Sequence, residues 1–184
     1  HVITRPHAEV PLDDAAAVEA FFTAEKPEYV FLAAAKVGGI VANTTQSADF
    51  IRENLKIQTN VIDAAYRHGA RKLLFLGSSC IYPRLAEQPI REDSLLTGEM
   101  EPTNLPYAVA KIAGKFMCDA YHAQYGFDAF TVMPSNVYGV GDNFHPEYSH
   151  VVAGMMRRFH EAKEAGAPEV VVWGTGTPMR ELID

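Results

Sequence analysis

The sequence predicts an α/β fold in which a doubly wound parallel sheet carries helices on both faces. Strand-type apolar runs alternate with amphipathic helical stretches along the whole chain. The strand runs are continuously apolar, as expected of strands covered on both sides. A strand–helix–strand order implies right-handed crossovers and hence a parallel sheet. At 184 residues the chain suffices for one domain with a real core, and not for two.

"HVIT" at residues 1–4 reads as a short strand, and Asp13 or Asp14 can cap a helix through "AAAVEAFFTAEK" that stops at Pro27. "YVFLAAA", Tyr29 to Ala35, is the next strand. "SADFIRENLKIQTNVIDAAYRHG" is a long helix, with Ser47 as its N-cap and Gly69 as its stop. "KLLFLG" is another buried strand; a proline-containing loop and a helix from about Pro106 to Gly126 follow it. "FDAFTVMP" and "EVVVWG" read as strands flanking the helix "HVVAGMMRRFHEAKEAG". The long helix carries two apolar stripes, Ile51, Leu55, Ile62 and Ala65 beside Phe50, Ile57, Val61 and Ala64. A helix lying on a sheet needs one. The second stripe is either a wide core face or a subunit seam, paired with the helix bearing Ile112, Phe116, Met117 and Ala120. A homodimer is the expectation that follows.

Composition narrows the function classes. Nearly half the residues are apolar and the net charge is −7, so a large phosphate-backbone footprint, and with it nucleic acid, is disfavoured. Two cysteines are too few for a disulfide scaffold and fit a reducing compartment, so the cytoplasm is the expected location. No stretch reaches membrane-spanning length, and no Cys/His spacing suggests a metal site. Asn43-Thr44-Thr45 matches a glycosylation triplet of the kind that arises by chance. Cys118 reads as a small core residue, and His68, His122 and His160 as solvated. His145 is open between a structural and a site role, and the pair Arg157-Arg158 would be a solvated face on most helices.

"FLGSSCIYP" is the anomaly. An apolar strand ends in Ser78, Ser79 and Cys80, at the carboxyl end where open α/β sheets bind ligands. Downstream, "PYAVAK" puts Tyr107 and Lys111 four apart, on one helical face. A free phenol has a pKa of about 10, and a nearby ammonium would lower it toward a useful acid–base range. The same lysine could hydrogen-bond a ribose.

A strand ending in Ser followed by Tyr-x-x-x-Lys resembles the extended short-chain dehydrogenase/reductases that act on nucleotide sugars. "LAAAKVGGI", "LLFLGSSCIYP", "EPTNLPYAVAKIAGK", "DNFHPEYSHVV", "MRRFHEA" and "VVWGTGTPMRE" are similar, in the same order, to the GDP-L-fucose synthase family of 3,5-epimerase/4-reductases. The resemblance implies a Rossmann-like NAD(P)-binding domain over residues 1–184, with 174–184 leading into a substrate lobe. It implies NADP(H) as cofactor and a GDP-linked 4-keto-6-deoxymannose as substrate. By position Cys80 matches the epimerisation base and His150 the acid. Ser78 and Tyr107 match the groups on the ketone oxygen, and Lys111 the partner of the nicotinamide ribose. Gly77, Ser78, Ser79, Pro134, Asn136 and Val137 would line the cofactor, with Lys111 and His150. Arg158, Trp173 and Arg180 would hold the GDP-sugar.

The family's Gly-x-x-Gly-x-x-Gly turn is absent, so it is expected to precede residue 1, and most of the substrate lobe to follow Asp184. Arg5 or His7 are then the candidates at the 2′-phosphate. Two alternatives stand beside this reading. A nucleotide-sugar 4-epimerase or 4,6-dehydratase is one, although such dehydratases typically carry acidic residues where this chain has Ser79-Cys80. A non-catalytic NADP-binding regulator is the other, and it would have no need of Ser78, Cys80, Tyr107, Lys111 and His150 together.

Overall fold

The computed structural model describes residues 1–172, 174–177, 179 and 181–183. Helix α1, Ala15–Glu25, begins at Asp14, whose carboxylate accepts from the amides of Ala16 and Ala17. Strand β1 is Tyr29–Leu32; helix α2 is Ile40–Thr45 and helix α3 is Ser47–Arg67. Strand β2, Lys72–Leu76, leads through short 3-10 turns to helix α4, Leu105–Tyr125. Strand β3, Ala129–Val132, short strand β4, Asn136–Val137, helix α5, Val151–Glu164, and strand β5, Leu182–Ile183, complete the described elements.

The main sheet is parallel with order β1-β2-β3, in which Leu32 pairs with Phe75 and Phe75 with Thr131. Glycines end both long helices where expected. Gly69 and Gly126 take φ of +76° and +68°, and the amides one position on, of Ala70 and Phe127, bond back to Ala65 and Tyr121. Val18 and Phe22 of α1, Val61, Ile62, Ala64 and Ala65 of α3, and Cys118 of α4 close over Leu32, Leu73, Phe75 and Ala129 in one core. Gly114 lets α4 approach this closely. A Cβ there would lie 2.5 Å from the Phe75 ring and 2.8 Å from Gln58 Oε1.

Several expectations fail for identifiable reasons. The α/β class with a parallel sheet holds, but among the described residues the second sheet face is only partly covered. Phe31 is 75% exposed and Tyr29 and Phe130 also face outward, with Arg71 and Lys72 lying over the Tyr29 and Phe130 rings. The apolar run of β1 therefore does not report burial on both sides here. Residues 1–4 form no strand, and Ala33 to Ala35 lie beyond the end of β1. Residues 169–172 of "EVVVWG" form none either, and Val171 is 73% exposed; the second parallel pair joins β4 to β5 instead. A strand exists where a partner takes its backbone groups, and apolar composition alone supplies none. Ser47 is already helical, and Gln46 holds the cap position without a side-chain bond. The second stripe of α3 is spent inside the chain, since Phe50, Val61 and Ala64 are all buried.

No helix among the described residues is long and apolar enough to cross a membrane. Asn43 is 7% exposed and its amide donates to the Gly38 and Gly39 carbonyls, so this asparagine is a structural residue. His68 is engaged where solvation was expected, whereas His122 stays exposed as expected while touching one carbonyl. His68 Nε2 meets Glu19 Oε1 at 2.8 Å, and His122 Nδ1 lies 3.1 Å from the Phe127 carbonyl. His145 resolves toward structure: its Nδ1 accepts from the amides of Glu147 and Tyr148, and its ring stacks on Tyr148. Arg157 anchors its own segment, donating to the Phe144 carbonyl and to Glu161.

Candidate active site

The tip of β2 is built by close approach. Gly77 extends the ladder with an N–H bond to Val132, and a Cβ there would lie 2.6 Å from Met133 Sδ. Ser78 is extended and caps the turn Ser79–Ile81, its Oγ accepting from the Cys80 amide at 3.3 Å. Ile81 is buried and fixes the turn, leaving Cys80 half-buried and Ser79 exposed. The two hydroxyls and the thiol thus sit on a rigid bend rather than a loose loop end.

Helix α4 brings Tyr107 and Lys111 to that bend. Pro106 in its first turn suits a helix start, where the missing N–H costs nothing. The Tyr107 ring meets Phe50 edge-on at 6.3 Å. Burial, and then the charge of a Cys80 thiolate, push its phenol up to about 12, while a hydrogen bond with Ser78 acts in the opposite direction. Lys111 is 3% exposed; its Nζ donates to the Leu76 carbonyl at 2.7 Å and lies 4.7 Å from the Phe75 ring centre. Burial pushes its pKa down to about 8. This corrects the sequence expectation for the pair. The ammonium is held by the strand tip, 5.8 Å from the Tyr107 ring centre, and the phenol's pKa rises where a fall was expected.

An ammonium carries three donors and no acceptor, and Leu76 takes one. A buried cation with donors to spare suits a vicinal diol such as a ribose, so this residue fits a dinucleotide. The other expected cofactor residues are spread more widely. Pro134 is half-buried beyond β3, and the Asn136 amide donates to the Glu181 carbonyl with Val137 beside it, exposed in β4. Arg5 forms a surface ion pair with Glu25 of α1, and His7 is exposed.

Ser78, Cys80, Tyr107 and Lys111 therefore form one cluster. His150 is exposed and caps α5 without a side-chain bond, and Arg158 is half-buried on α5. Their segment meets the sheet domain where the Gly39 amide donates to the Tyr148 carbonyl, 3.3 Å away. Trp173 and Arg180 lie outside the described residues. Sequence reasoning missed the supporting amides Asn43, Asn54 and Gln58, all buried. Asn54 and Gln58 stand four apart between Phe50 and Ile62, and polar residues on a core stripe were the available signal.

The model of the NAD dependent epimerase/dehydratase family matches residues 3–184. A protein of Oryza sativa subsp. japonica named "Probable GDP-L-fucose synthase 1" is 65% identical over all of this chain and 56% of its own length. The "GDP-L-fucose synthase" of Escherichia coli K12 is 57% identical over 99% of this chain and 57% of its own length. Among solved structures, a GDP-L-fucose synthetase from Naegleria fowleri bound to NADP superposes with a TM-score of 0.86 at 30% identity, covering 98% of this chain and 59% of that one. The chain thus spans somewhat over half the length of the curated relatives it matches.

Proposed function

Because the chain belongs to the NAD dependent epimerase/dehydratase family, we propose that the protein containing it converts GDP-4-keto-6-deoxymannose to GDP-L-fucose. Both C3 and C5 are inverted, and the C4 ketone is then reduced with NADPH. The observation that carries this reading is the clustering of a half-buried thiol with Ser78, Tyr107 and Lys111 at one strand tip.

The C4 ketone acidifies the protons at C3 and C5. At each centre Cys80, as thiolate, takes the proton from one face and His150 delivers one to the other, and exchange with water returns the thiol to thiolate and the imidazole to its protonated form between the two inversions. Ser78 and Tyr107 hydrogen-bond the ketone oxygen and stabilise the enolate. The high phenol pKa keeps Tyr107 protonated at neutral pH, so it holds a proton for the C4 oxygen. NADPH, when bound, supplies the hydride to C4. Lys111 grips the nicotinamide ribose and places positive charge beside the oxygen as it becomes an alkoxide. Gly77, Ser79, Pro134, Asn136 and Val137 line the cofactor in this reading, and Arg158, Trp173 and Arg180 hold the GDP-sugar.

Incubating the whole protein with GDP-4-keto-6-deoxymannose and NADPH should yield GDP-L-fucose by NMR. Tyr107→Phe should leave deuterium exchange at C3 and C5 present but slowed, since Ser78 still holds the ketone oxygen, while reduction falls further, by about two to four decades. A product with the C3 and C5 configurations of the substrate would remove the epimerase half of this reading.

We place a second copy of the chain against α4 rather than α3. Val109, Ala113, Phe116 and Ala120 recur at helical spacing and all are exposed, Phe116 by 44%. Val109→Glu with Phe116→Glu should convert a dimer to a monomer in sedimentation velocity; a dimer that persists locates the contact elsewhere.

A further inference from the structure

His150 stands on a segment whose attachment depends on side chains that are absent. Gly39 has φ −67° and ψ −177°, a conformation open to any residue, so what glycine supplies there is space. A Cβ on Gly39 would lie 2.8 Å from the Ser149 carbonyl oxygen, and one on Gly154 would lie 2.7 Å from Ser149 Oγ. Ser149, the residue before His150, is therefore gripped between a loop of the sheet domain and the first turn of α5. The Gly39 amide bonds to the adjacent Tyr148 carbonyl, and the Gly154 amide to that of His150, 2.9 Å away.

The loop is itself immobilised by two buried amides. Asn54 accepts from the Lys36 amide at 2.9 Å and donates to the Lys36 carbonyl at 3.0 Å. Asn43 donates to the carbonyls of Gly38 and Gly39, at 2.7 and 3.1 Å. Both asparagines are more than nine-tenths buried. The stretch from Lys36 to Gly39 is thus a fixed shelf, tied to α2 and α3, and α3 also carries the Phe50 that abuts Tyr107. One rigid frame supports both Tyr107 and the seat of His150.

We propose that the Gly38–Gly39 shelf, pinned by Asn43 and Asn54, is the positioning element that sets His150 opposite Cys80 during epimerisation. This rests on the function proposed above. Gly39 touches neither substrate nor cofactor in that scheme, so its effect is exerted through His150. A methyl at Gly39 must push Ser149 away, and displacing a catalytic group by about 1 Å can cost about a hundredfold in rate.

The test uses Gly39→Ala in the whole protein and separates two signals. Same-face deuterium wash-in at C3 and C5 needs Cys80 and the ketone-binding hydroxyls, and it should persist within about threefold. Inversion also needs His150, and it should fall by about a hundredfold. The ring resonance of His150, assigned through His150→Gln, should shift, while the melting midpoint falls by no more than the roughly 2–10 °C that crowding one backbone carbonyl costs. If Gly39→Ala does not fold, Asn43→Ala, which releases the Gly38 and Gly39 carbonyls of the shelf, carries the same expectation. Inversion at the parental rate in a folded variant overturns the proposal, as does a parallel loss of both signals. If the parent protein shows no wash-in at all, the epimerase reading fails and takes this inference with it.

Discussion

Cys80→Ala in the whole protein is expected to abolish wash-in of solvent deuterium at C3 and C5 while leaving slow reduction of the unepimerised ketone. The two processes use different atoms of one cluster. The thiol removes carbon-bound protons, whereas Ser78 and Tyr107 address the ketone oxygen, and alanine leaves both hydroxyls in place. Losing a positioned base costs about two to four decades in rate. A packing defect would not imitate this. Cys80 is half-buried on a turn whose fixed point is Ile81, so a smaller side chain leaves the bend intact. NMR of the recovered sugar after incubation in deuterated water reads the result directly. Exchange at the parental rate would make the thiol a bystander.

Lys111→Met should make the protein more stable and less able to hold NADPH. The ammonium is buried with the Leu76 carbonyl as its protein acceptor, and its pKa is depressed to about 8. Below about pH 8 the folded chain bears the full cost of that buried charge. Between about 8 and the unfolded value near 10.5 the unfolded chain binds more protons, so stability rises with pH across that window. Methionine removes the charge at similar volume, and a gain of about 1–3 kcal/mol at pH 7 is expected after allowing for the stranded carbonyl. Urea melts at pH 7 and pH 10 should show the variant's advantage over the parent shrinking, on top of a loss that both share because the buried Cys118 thiol and Tyr107 phenol, with their pKa values pushed up, ionise on unfolding. NADPH affinity should fall about 10- to 100-fold with the charged hydrogen bond to the ribose. A variant less stable at pH 7 would show that the cation is well paid in place by contacts beyond Leu76.

The elements with strong local signals were legible, and those that depend on a partner were not. Asp14, Gly69 and Gly126 act within one helical turn, and the helix ends follow from them. Residues 1–4 and 169–172 have strand composition but lack a neighbouring strand, which no local pattern reveals. Tyr107 and Lys111 could be placed on one helix face from spacing alone. Their electrostatics could not, because both shifts are set first by burial, which depends on segments far along the chain, with Cys80 and Ser78 acting further on the phenol. The Gly39 shelf was hidden for a further reason. A glycine in ordinary extended backbone gives no turn signal, and its value lies entirely in what passes beside it.

The parallel sheet also imposes an order in time. Tyr29 pairs with Lys72 and Leu73 with Ala129, so each pairing closes a loop containing an entire helix. Such closures cost entropy before any ladder bond repays it, and folding rates fall as contacts become more distant in sequence. Helices α3 and α4 carry their own stop signals, and a helix of that length can form locally on a timescale of about a microsecond. Ser78 follows the central strand and Tyr107 lies on a crossover helix, so their meeting waits on the slow, topological step. The reactive cluster is therefore expected to be complete only once both long-range pairings have closed.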